Sequence, residues 1–444
     1  MQRSRNGRAG EARAVSDTAS GRAKQRAFCI AALEEGDDLG ELHELLRTAG
    51  VAVVGQMVQH RDTPHPNTYL GPGKLVEVKA AAKAADANVI ACDDELSPRQ
   101  ERNLEEELGM PVVDRTSIIL DIFAGHAHSA EGKLQVELAQ LEYNMARMRG
   151  LWTHLERLGA SAAQPGIGAR GPGESQIETD RRLARNRITA LRRRLDGVVS
   201  SRAVMRAERE RAHLPQVALA GYTNAGKSTL LNRLTGAEVG VRDRLFHTLD
   251  PTTRTLRING RAYLLTDTVG FIRKLPHQVV DAFAATLTET READLILHVV
   301  DASVPHEEMT EMLRAVDATL EAVGAGERPR LLVLNKADAL DGERREELAF
   351  AHPDGVLISA ADGEGLEELG DRIEEEFRRT LRPVELLLPY AQGARLTELH
   401  EVAGDLERTD TPDGVLIRAR LPATLAERYS RYAVDGAANG DGNS

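Results

Sequence analysis

One segment of the chain combines glycines, a lysine and a hydroxyl group at the spacing that binds a polyphosphate. It reads Gly221-Tyr222-Thr223-Asn224-Ala225-Gly226-Lys227-Ser228, between an apolar, strand-like run at 217–220 and a helical pattern at 229–234. Glycines allow backbone N–H groups to turn towards phosphate oxygens, and the N-terminus of the following helix adds its partial positive charge. In this arrangement Lys227 would bind the β- and γ-phosphates, while the Ser228 hydroxyl would bind Mg²⁺. The pattern therefore predicts a phosphate-binding loop of the P-loop type.

A second strand carries an acidic residue at its end, where it would face the same phosphates. The strand-like run 262–266 is followed by Asp267-Thr268-Val269-Gly270. Asp267 suits a water-mediated contact with Mg²⁺, and the Gly270 N–H would bind the γ-phosphate. Many proteins of this type have a glutamine at the next position, where it orients the attacking water, but here the residue is Phe271. Because a phenyl ring cannot hydrogen-bond to water, we expect slow intrinsic hydrolysis that needs a group from a partner or from a reordered loop of this protein.

Two further strands end in residues that would select the base. The run 331–334 leads into Asn335-Lys336-Ala337-Asp338, and the run 356–358 leads into Ser359-Ala360-Ala361. The Asp338 carboxylate can accept hydrogen bonds from guanine N1–H and from the exocyclic amine, whereas adenine offers no such pair. The Lys336 stem would cover the face of the base, and backbone N–H groups at 359–361 would meet the guanine carbonyl. Since the carboxyl ends of parallel strands form one crevice, the four motifs predict a guanine nucleotide site and exclude an ATPase.

The sequence also predicts a threonine ligand for Mg²⁺, but several threonines are candidates. Thr248, Thr252, Thr253 and Thr255 lie between positions 245 and 255, and one of them should bind Mg²⁺ only when the γ-phosphate is present. Spacing alone does not select among the four.

The composition is that of a globular protein with several domains. The chain has 444 residues, a net charge of −12, and 41% hydrophobic but only 3% aromatic residues. Its length exceeds that of one ordinary domain, and no stretch approaches the roughly 20 apolar residues of a membrane span. The N-terminus lacks the apolar core of a secretory signal, so we expect a cytoplasmic protein. Cys29 and Cys92 lie in apolar runs, which favours buried thiols over a disulfide.

Alternating patterns divide the chain into six regions. Strand-like and helical runs alternate in the first and third quarters of the chain, which predicts an α/β protein with a doubly wound, mostly parallel sheet in its nucleotide-binding domain. Between these parts, heptad spacing predicts two helices joined by a glycine-rich segment, most simply an antiparallel helical hairpin. The predicted regions are a disordered tail at 1–25, an N-terminal α/β domain at 26–125, the helical hairpin at 126–212, the nucleotide-binding domain at 213–381, a small α+β domain at 382–434 and a disordered tail at 435–444.

The predicted hairpin carries a local excess of positive charge in an acidic chain. Its heptad positions are Leu134, Leu138, Leu141, Met145, Met148 and Trp152, then Ala184, Ile188, Leu191, Leu195 and Val198. Eleven arginines fall between 145 and 194, against four acidic residues. Arginines can simply solvate a helix face, but a surplus this concentrated favours contact with a nucleic-acid backbone.

With these motifs, the chain resembles the HflX family of ribosome-associated GTPases from about residue 27 to 433. The resemblance rests on Gly71-Pro72-Gly73-Lys74, Asp93-Asp94-Glu95-Leu96-Ser97-Pro98, Arg170-Gly171-Pro172-Gly173-Glu174-Ser175-Gln176 with Asp180-Arg181-Arg182, the phosphate-binding loop, Leu249-Asp250-Pro251-Thr252, and Asp267-Thr268-Val269-Gly270-Phe271-Ile272. The block 166–182 is the most discriminating, since GTPases in general lack it.

The resemblance implies a GTPase that binds the large (50S) ribosomal subunit and acts in ribosome disassembly, rescue or biogenesis. It implies that the helical hairpin and the N-terminal domain face ribosomal RNA. The family's Phe-Ala-Thr-Leu-Asp segment matches Phe246-His247-Thr248-Leu249-Asp250, which makes Thr248 the expected Mg²⁺ ligand, although His247 departs from the usual alanine.

On this basis GTP or GDP with Mg²⁺ would be bound by five segments of the chain. They are 221–228, 246–250, 267–270, 335–338 and 359–361. Lys227, Ser228, Thr248 and Gly270 would act at the γ-phosphate, with Ser228 and Thr248 as the protein ligands of the metal.

Three functional hypotheses remain open from the sequence. The first is a GTPase whose nucleotide state sets its affinity for the large ribosomal subunit, the second an RNA-binding or assembly factor in which GTP is structural. The third is a signalling GTPase that acts on proteins only, and the arginine excess disfavours it. We expect a monomer.

Overall fold

The computed structural model describes residues 25–34, 38–61, 63–161, 179, 181–198, 214–237, 245–246, 249–274, 289–421 and 423–434. They fall into two compact units, Met1–Gly125 with Tyr143–Arg181, and His126–Glu142 with Arg182–Ser444. Except for residue 25, the two predicted disordered tails lie outside the described residues. Across these ranges, no helix is long and apolar enough to cross a membrane.

The first unit contains a parallel sheet of four strands in the order β2-β1-β3-β4. Its strands are β1 (Arg26–Leu33), β2 (Ala52–His60), β3 (Val89–Cys92) and β4 (Val112–Asp114), and its helices are α1 (Gly40–Thr48), α2 (Pro72–Ala84), α3 (Pro98–Leu108) and α4 (Arg115–His126). β1 and β3 are almost entirely buried, as is usual for parallel strands that helices cover on both faces. The predicted N-terminal α/β fold is confirmed, and Cys29 and Cys92 are buried free thiols.

Two helices carry the predicted heptad positions. They are α5 (Ala130–Ser161) and α6 (181–198). The seam residues Leu134, Leu138, Ile188 and Leu191 are buried, so both seams face inwards. Two ion pairs also join the helices. The glycine-rich loop of the predicted hairpin, at 166–173, lies outside the described residues, and the antiparallel connection stays a prediction.

The second unit contains the sheet that positions the candidate site. Its six strands have the order β10-β9-β8-β5-β7-β6, and all pair in parallel except β6, which is antiparallel to β7. They are β5 (Gln216–Gly221), β6 (Thr252–Ile258), β7 (Arg261–Asp267), β8 (Leu295–Asp301), β9 (Arg330–Asn335) and β10 (Val356–Leu357), with helices α7 (Lys227–Thr235), α8 (His306–Ala322), α9 (Gly342–Ala351) and α10 (Leu366–Thr380). This confirms the predicted doubly wound, mostly parallel sheet.

A third, antiparallel sheet follows in the same unit. Its strands are β11 (Arg382–Leu388), β12 (Gly404–Thr411) and β13 (Gly414–Leu421) in the order β11-β13-β12, with helices α11 (Gly393–Val402) and α12 (Ala423–Tyr429). The predicted pairing of 384–388 with 414–420 is confirmed. Sequence reasoning missed β12, because an edge strand that reads Gly-Asp-Leu-Glu-Arg-Thr-Asp-Thr lacks a regular apolar face. The exact boundaries predicted between the regions remain predictions.

A buried histidine lies on a central strand of the nucleotide-binding sheet. His298, on β8, is 5% exposed, and its Nε2 has no partner among the described residues. Burial lowers the pKa of His298 to about 4, and the Asp317 carboxylate, 4.0 Å from Nδ1, only partly offsets this effect. The imidazole is therefore neutral in the folded protein at pH 7.

Acid should destabilise the protein through His298. In the unfolded chain the imidazole takes up a proton near pH 6.5, whereas in the fold it does so only near pH 4, so stability is lost as the pH falls between these values. For the His298→Leu variant we expect the free energy of unfolding relative to the wild type to rise by about 3 kcal/mol from pH 7 to pH 4. Urea unfolding at a series of pH values measures this; a difference that does not change with pH would contradict it.

Candidate nucleotide-binding site

The phosphate-binding loop connects β5 to α7, as the sequence predicts, and two of its glycines have no room for a side chain. A Cβ at Gly221 would lie 2.1 Å from the Val299 carbonyl oxygen on the neighbouring strand β8. Gly226 has a φ of +93°, and a Cβ there would lie 2.2 Å from Asn335 Nδ2. The loop therefore follows a path that is open only to glycine at these two positions.

Lys227 lies inside the loop that it is predicted to serve. Its side chain is buried, and Nζ donates hydrogen bonds to the carbonyl oxygens of Gly221 (3.0 Å) and Tyr222 (2.8 Å). Burial lowers the pKa of Lys227 to about 8, and the nearby Asp267 carboxylate partly offsets this. The ammonium group is thus held among neutral carbonyls, and a phosphate anion beside it would favour its charged form.

The predicted metal ligand Ser228 and the acidic residue at the end of β7 are in direct contact. Ser228 Oγ donates a hydrogen bond to Asp267 Oδ2 at 2.5 Å, and Asp267 is completely buried. The next residue, Thr268, fixes the end of β7 to β5, because its hydroxyl donates to the Leu219 carbonyl at 2.6 Å. Two oxygen-bearing side chains therefore meet at the start of α7.

The segment after Asp267 runs back against the phosphate-binding loop. Phe271 N donates to the Gly221 carbonyl at 3.1 Å, and Thr223 N donates to the Phe271 carbonyl at 2.8 Å. A Cβ at Gly270 would lie 2.9 Å from Thr223 Cα and 3.1 Å from Lys227 Nζ, so this position also needs glycine. Phe271 is 1% exposed, and its ring therefore packs in the interior.

The base-selecting segments are joined to the phosphate-binding loop by one amide. Asn335 Nδ2 donates to the Ala225 carbonyl at 2.8 Å, and Asn335 Oδ1 accepts from Ala360 N at 3.0 Å. Asp338 is positioned by the Ser359 hydroxyl, which donates to its Oδ1 at 2.6 Å. Asn335, Asp338 and Ser359 thus come together as the sequence predicts.

The structure refines one prediction at the base. Of the three N–H groups proposed for the guanine carbonyl, that of Ser359 donates to the Glu364 carbonyl and that of Ala360 donates to Asn335. Within the described chain, only the Ala361 N–H of the three is left for the base. Sequence reasoning could not reveal this, because both partners lie on other segments.

Sequence reasoning also missed two charged side chains behind the base-selecting segment. Asp301, at the end of β8, pairs with Lys336 Nζ at 2.5 Å. Arg345, on α9, donates to the Ala337 carbonyl at 2.7 Å and pairs with Glu364. The position of Asp301 at a strand end is a signal that could have identified it, whereas nothing in the local sequence singles out Arg345.

The segment predicted to bind the metal through Thr248 is only partly described. His247 and Thr248 lie outside the described residues, and Thr248 stays a prediction. Phe246 and Leu249 are buried, at 1% and 2% exposure, so their side chains belong to the core. The Asp250 side chain accepts hydrogen bonds from the backbone N–H groups of the two residues before α5, and its predicted place in the nucleotide site stays a prediction.

The fold and the site define a guanine-nucleotide-binding P-loop protein of the GTPase class. The chain is 46% identical to a GTPase HflX of Lacrimispora saccharolytica, over 89% of this chain and 93% of the relative. It is 44% identical to the GTPase HflX of Escherichia coli, over 87% of this chain and 90% of the relative. The chain therefore belongs to the HflX family of GTPases.

Family descriptions agree with this assignment along the chain. Residues 36–124 match a family described as GTP-binding GTPase N-terminal, 126–209 one described as GTP-binding GTPase Middle Region, and 216–336 one described as 50S ribosome-binding GTPase. A crystal structure of a GTP-binding protein from Sulfolobus solfataricus in complex with GDP is 27% identical, covers 80% of this chain and 99% of that chain, and has a TM-score of 0.40. As a member of the family, the chain binds a guanine nucleotide and hydrolyses GTP.

Replacing Asp338 by asparagine should change the base that is bound. Asparagine offers one acceptor and one donor where aspartate offers two acceptors, so it opposes the exocyclic amine of guanine but matches the second carbonyl of xanthine. We expect the Kd for GDP to rise by about 100-fold, and xanthosine diphosphate to bind more tightly than GDP. Titration with fluorescent nucleotides measures both constants.

The matched control is Asp341→Asn, three residues further on. Asp341 caps α9 by accepting from Arg344 N at 2.8 Å, and asparagine caps a helix equally well. This variant should bind GDP like the wild type. An Asp338→Asn variant that still prefers guanine would reject the assigned role of Asp338.

Proposed function

We propose that this GTPase acts on the large ribosomal subunit, that Mg²⁺ binds at the phosphate end of its site, and that contact with the subunit accelerates hydrolysis of GTP. Ser228 would hold the metal directly, with Thr248 as the second protein ligand and Asp267 behind a water. Hydroxyl and carboxylate oxygens are the donors that Mg²⁺ prefers, and those of Ser228 and Asp267 already lie together. When bound, Mg²⁺ neutralises charge that develops on the β- and γ-phosphates.

The chain's own residues account for phosphate binding but not for activation of the attacking water. Lys227 supplies a positive charge inside the loop, and the N–H groups of the loop and of Gly270 stabilise the γ-phosphate in the transition state. The residue after Gly270 is the buried Phe271, which has no group to orient water. Slow hydrolysis in isolation follows, and a partner that supplies or orders such a group would accelerate it.

Arginines on the outer side of α6 carry the proposal that this partner is RNA-bearing. Arg182, Arg185 and Arg193 are exposed, and they lie within roughly 80° of each other around the helix axis. Within the part of the chain that the structure describes, none of the three forms an ion pair. Free guanidinium groups on one face match the charge of a phosphate backbone and can hydrogen-bond to its oxygens.

Two neighbouring arginines show the contrast. Arg187 pairs with Glu137 at 2.6 Å, and Arg192 pairs with Glu142 at 2.7 Å, so both hold α6 against α5. The arginine excess that the sequence shows therefore separates into a structural part and a part that is available to a partner. The matched family, described as 50S ribosome-binding, supports the large subunit as that partner. A ribosomal partner would place the protein in the cytoplasm.

The deciding experiment measures GTP hydrolysis with and without purified large subunits at several salt concentrations. We expect stimulation by the subunits, and we expect it to weaken as salt rises, because phosphate contacts are lost by competition with cations. Binding that ignores the nucleotide would instead favour an RNA-binding or assembly factor in which GTP is structural. No binding at any salt concentration would reject both functions.

Removing the three exposed arginines should weaken the interaction with the subunit in a salt-dependent way. For the variant with Arg182, Arg185 and Arg193 replaced by alanine, we expect the slope of log K against log salt to fall by about two to three units. Sedimentation with large subunits across a salt series measures this slope.

A control of equal charge uses Arg378, Arg379 and Arg408, which are exposed on α10 and β12 and form ion pairs there. Replacing these three by alanine should leave the slope unchanged. If both triple variants change the slope equally, net charge rather than the α6 face determines binding.

A further inference from the structure

A carboxylate from the segment before β6 caps helix α5. Asp250 Oδ2 accepts hydrogen bonds from the N–H groups of His128 (3.1 Å) and Ser129 (2.8 Å), and Oδ1 accepts one from the Ser129 hydroxyl. Ser129 Oγ accepts in turn from the Gly132 N–H at 2.8 Å. His128 and Ser129 directly precede α5, so a carboxylate 121 residues away in sequence lies at the N-terminus of the helix, where a negative charge is favourable, and holds the Ser129 hydroxyl that accepts from the first turn.

The contact is close enough to need a glycine in the first turn of the helix. A Cβ at Gly132 would lie 2.6 Å from Asp250 Oδ1 and 3.1 Å from Ser129 Oγ. Gly125, near the end of α4, has no atom within 4 Å of such a Cβ. A methyl group at position 132 is therefore a steric probe of the cap, and the same group at position 125 is its control.

The residues that follow Asp250 lead into the nucleotide site. Thr252 begins β6 and lies opposite Asp267 in the antiparallel pair of β6 with β7. Asp267 accepts the Ser228 hydroxyl, and the hydroxyl groups of Thr253 and Thr266 are 2.9 Å apart across the same two strands. A rearrangement of Ser228 and Asp267 on binding nucleotide would therefore act on the strand to which Asp250 is attached.

The helix that Asp250 caps is the one that holds the arginine helix. Glu137 and Glu142, about two and three and a half turns after Ser129, form the ion pairs with Arg187 and Arg192 of α6. Contacts thus continue from Ser228 through β7, β6 and Asp250 to α5 and from there to α6. All of these residues belong to the same compact unit.

We propose that Asp250 is a positioning residue that couples the nucleotide site to the helix pair α5–α6, through its hydrogen bonds to His128 and Ser129. The nucleotide state sets how firmly the start of α5 is capped, and the start of α5 sets the placement of the arginine face. The effect of this coupling on binding of the large ribosomal subunit rests on the function proposed above, whereas the coupling between the nucleotide and the start of α5 does not. Because coupling is reciprocal, binding of RNA to α6 changes nucleotide affinity by the same factor.

A purely structural role of Asp250 would involve the same hydrogen bonds. The experiment must therefore compare the two nucleotide states, because a change in stability alone would not distinguish the two roles. Hydrogen exchange of the His128, Ser129 and Gly132 amides reports the cap directly. In the full-length wild type we expect their exchange rates to differ by about 5-fold or more between complexes with GDP and with a non-hydrolysable GTP analogue. In Asp250→Ala this difference should disappear, because the His128 and Ser129 amides have lost their acceptor and the Ser129 hydroxyl, which accepts from the Gly132 amide, is no longer held by the carboxylate.

Two further variants distinguish a specific effect on the cap from a general loss of structure. Gly132→Ala keeps the carboxylate but displaces it, and it should reduce the nucleotide dependence, whereas Gly125→Ala should retain it in full. The double variant Asp250→Ala with Ser129→Ala should show the same loss as Asp250→Ala alone, because the two residues act as one unit. Equal exchange in both complexes of the wild type, or a difference that persists in Asp250→Ala, would overturn the inference.

Binding of large ribosomal subunits tests separately whether the coupling reaches α6. The ratio of subunit affinities in the two nucleotide states should fall towards one in Asp250→Ala and remain at the wild-type value in Gly125→Ala. If the wild type binds no subunits while the exchange difference is present, the proposed partner is wrong and the coupling to α5 stands. If subunits bind in a nucleotide-dependent way and the ratio is unchanged in Asp250→Ala, the coupling through Asp250 is wrong and the proposed function stands.

Discussion

The side-chain amide of Asn335 is the contact on which the nucleotide site depends. It donates to the carbonyl of Ala225 and accepts from the N–H of Ala360. One amide group therefore fixes the distance between the phosphate-binding loop and the segments predicted to select the base. At 2% exposure these bonds face little competition from water. The close approach explains the glycine at 226, where a side chain would overlap the amide. Phosphate and base can be recognised together only because these segments, from three different strands, are held at one separation.

Charge is used in two different ways in this protein. In the nucleotide site, Lys227 is buried among carbonyls, so its positive charge is already desolvated and aimed before a phosphate arrives. On α6, by contrast, some arginines are neutralised by glutamates of α5 and others face solvent. Net charge alone, which is −12, would suggest a protein that avoids nucleic acid. The proposed contact with RNA rests instead on how charge is distributed along one helix.

Asp250 lies in a sequence motif that predicts a nucleotide site, but in the structure its side chain forms hydrogen bonds at the start of a helix. Its neighbours Phe246 and Leu249 are buried, so the described part of this segment is anchored in the interior. A segment anchored on one side and attached to β6 on the other is suited to pass a change at the phosphates to a distant helix. Phe271 likewise has two structural roles. Its ring packs in the interior, and its backbone forms hydrogen bonds with the phosphate-binding loop.

The sequence by itself determined the class of nucleotide and predicted most of the elements that would bind it. The loop 221–228, Asp267 with Gly270, and Asp338 are each part of a short motif whose strand and turn set the backbone locally, so their spacing was sufficient to predict them. The same holds for the parallel sheets, which follow from alternating strands and helices.

Only the tertiary structure decided which partner each side chain takes. The role of Asp250 depends on Ser129, and Arg345 depends on the carbonyl of Ala337. Ala360 N–H is taken up by Asn335, and the arginines of α6 are sorted by the glutamates of α5. These hydrogen bonds and ion pairs join segments that meet only when the chain is folded. Local periodicity shows which face of an element is buried, but it does not show which distant group will lie against it.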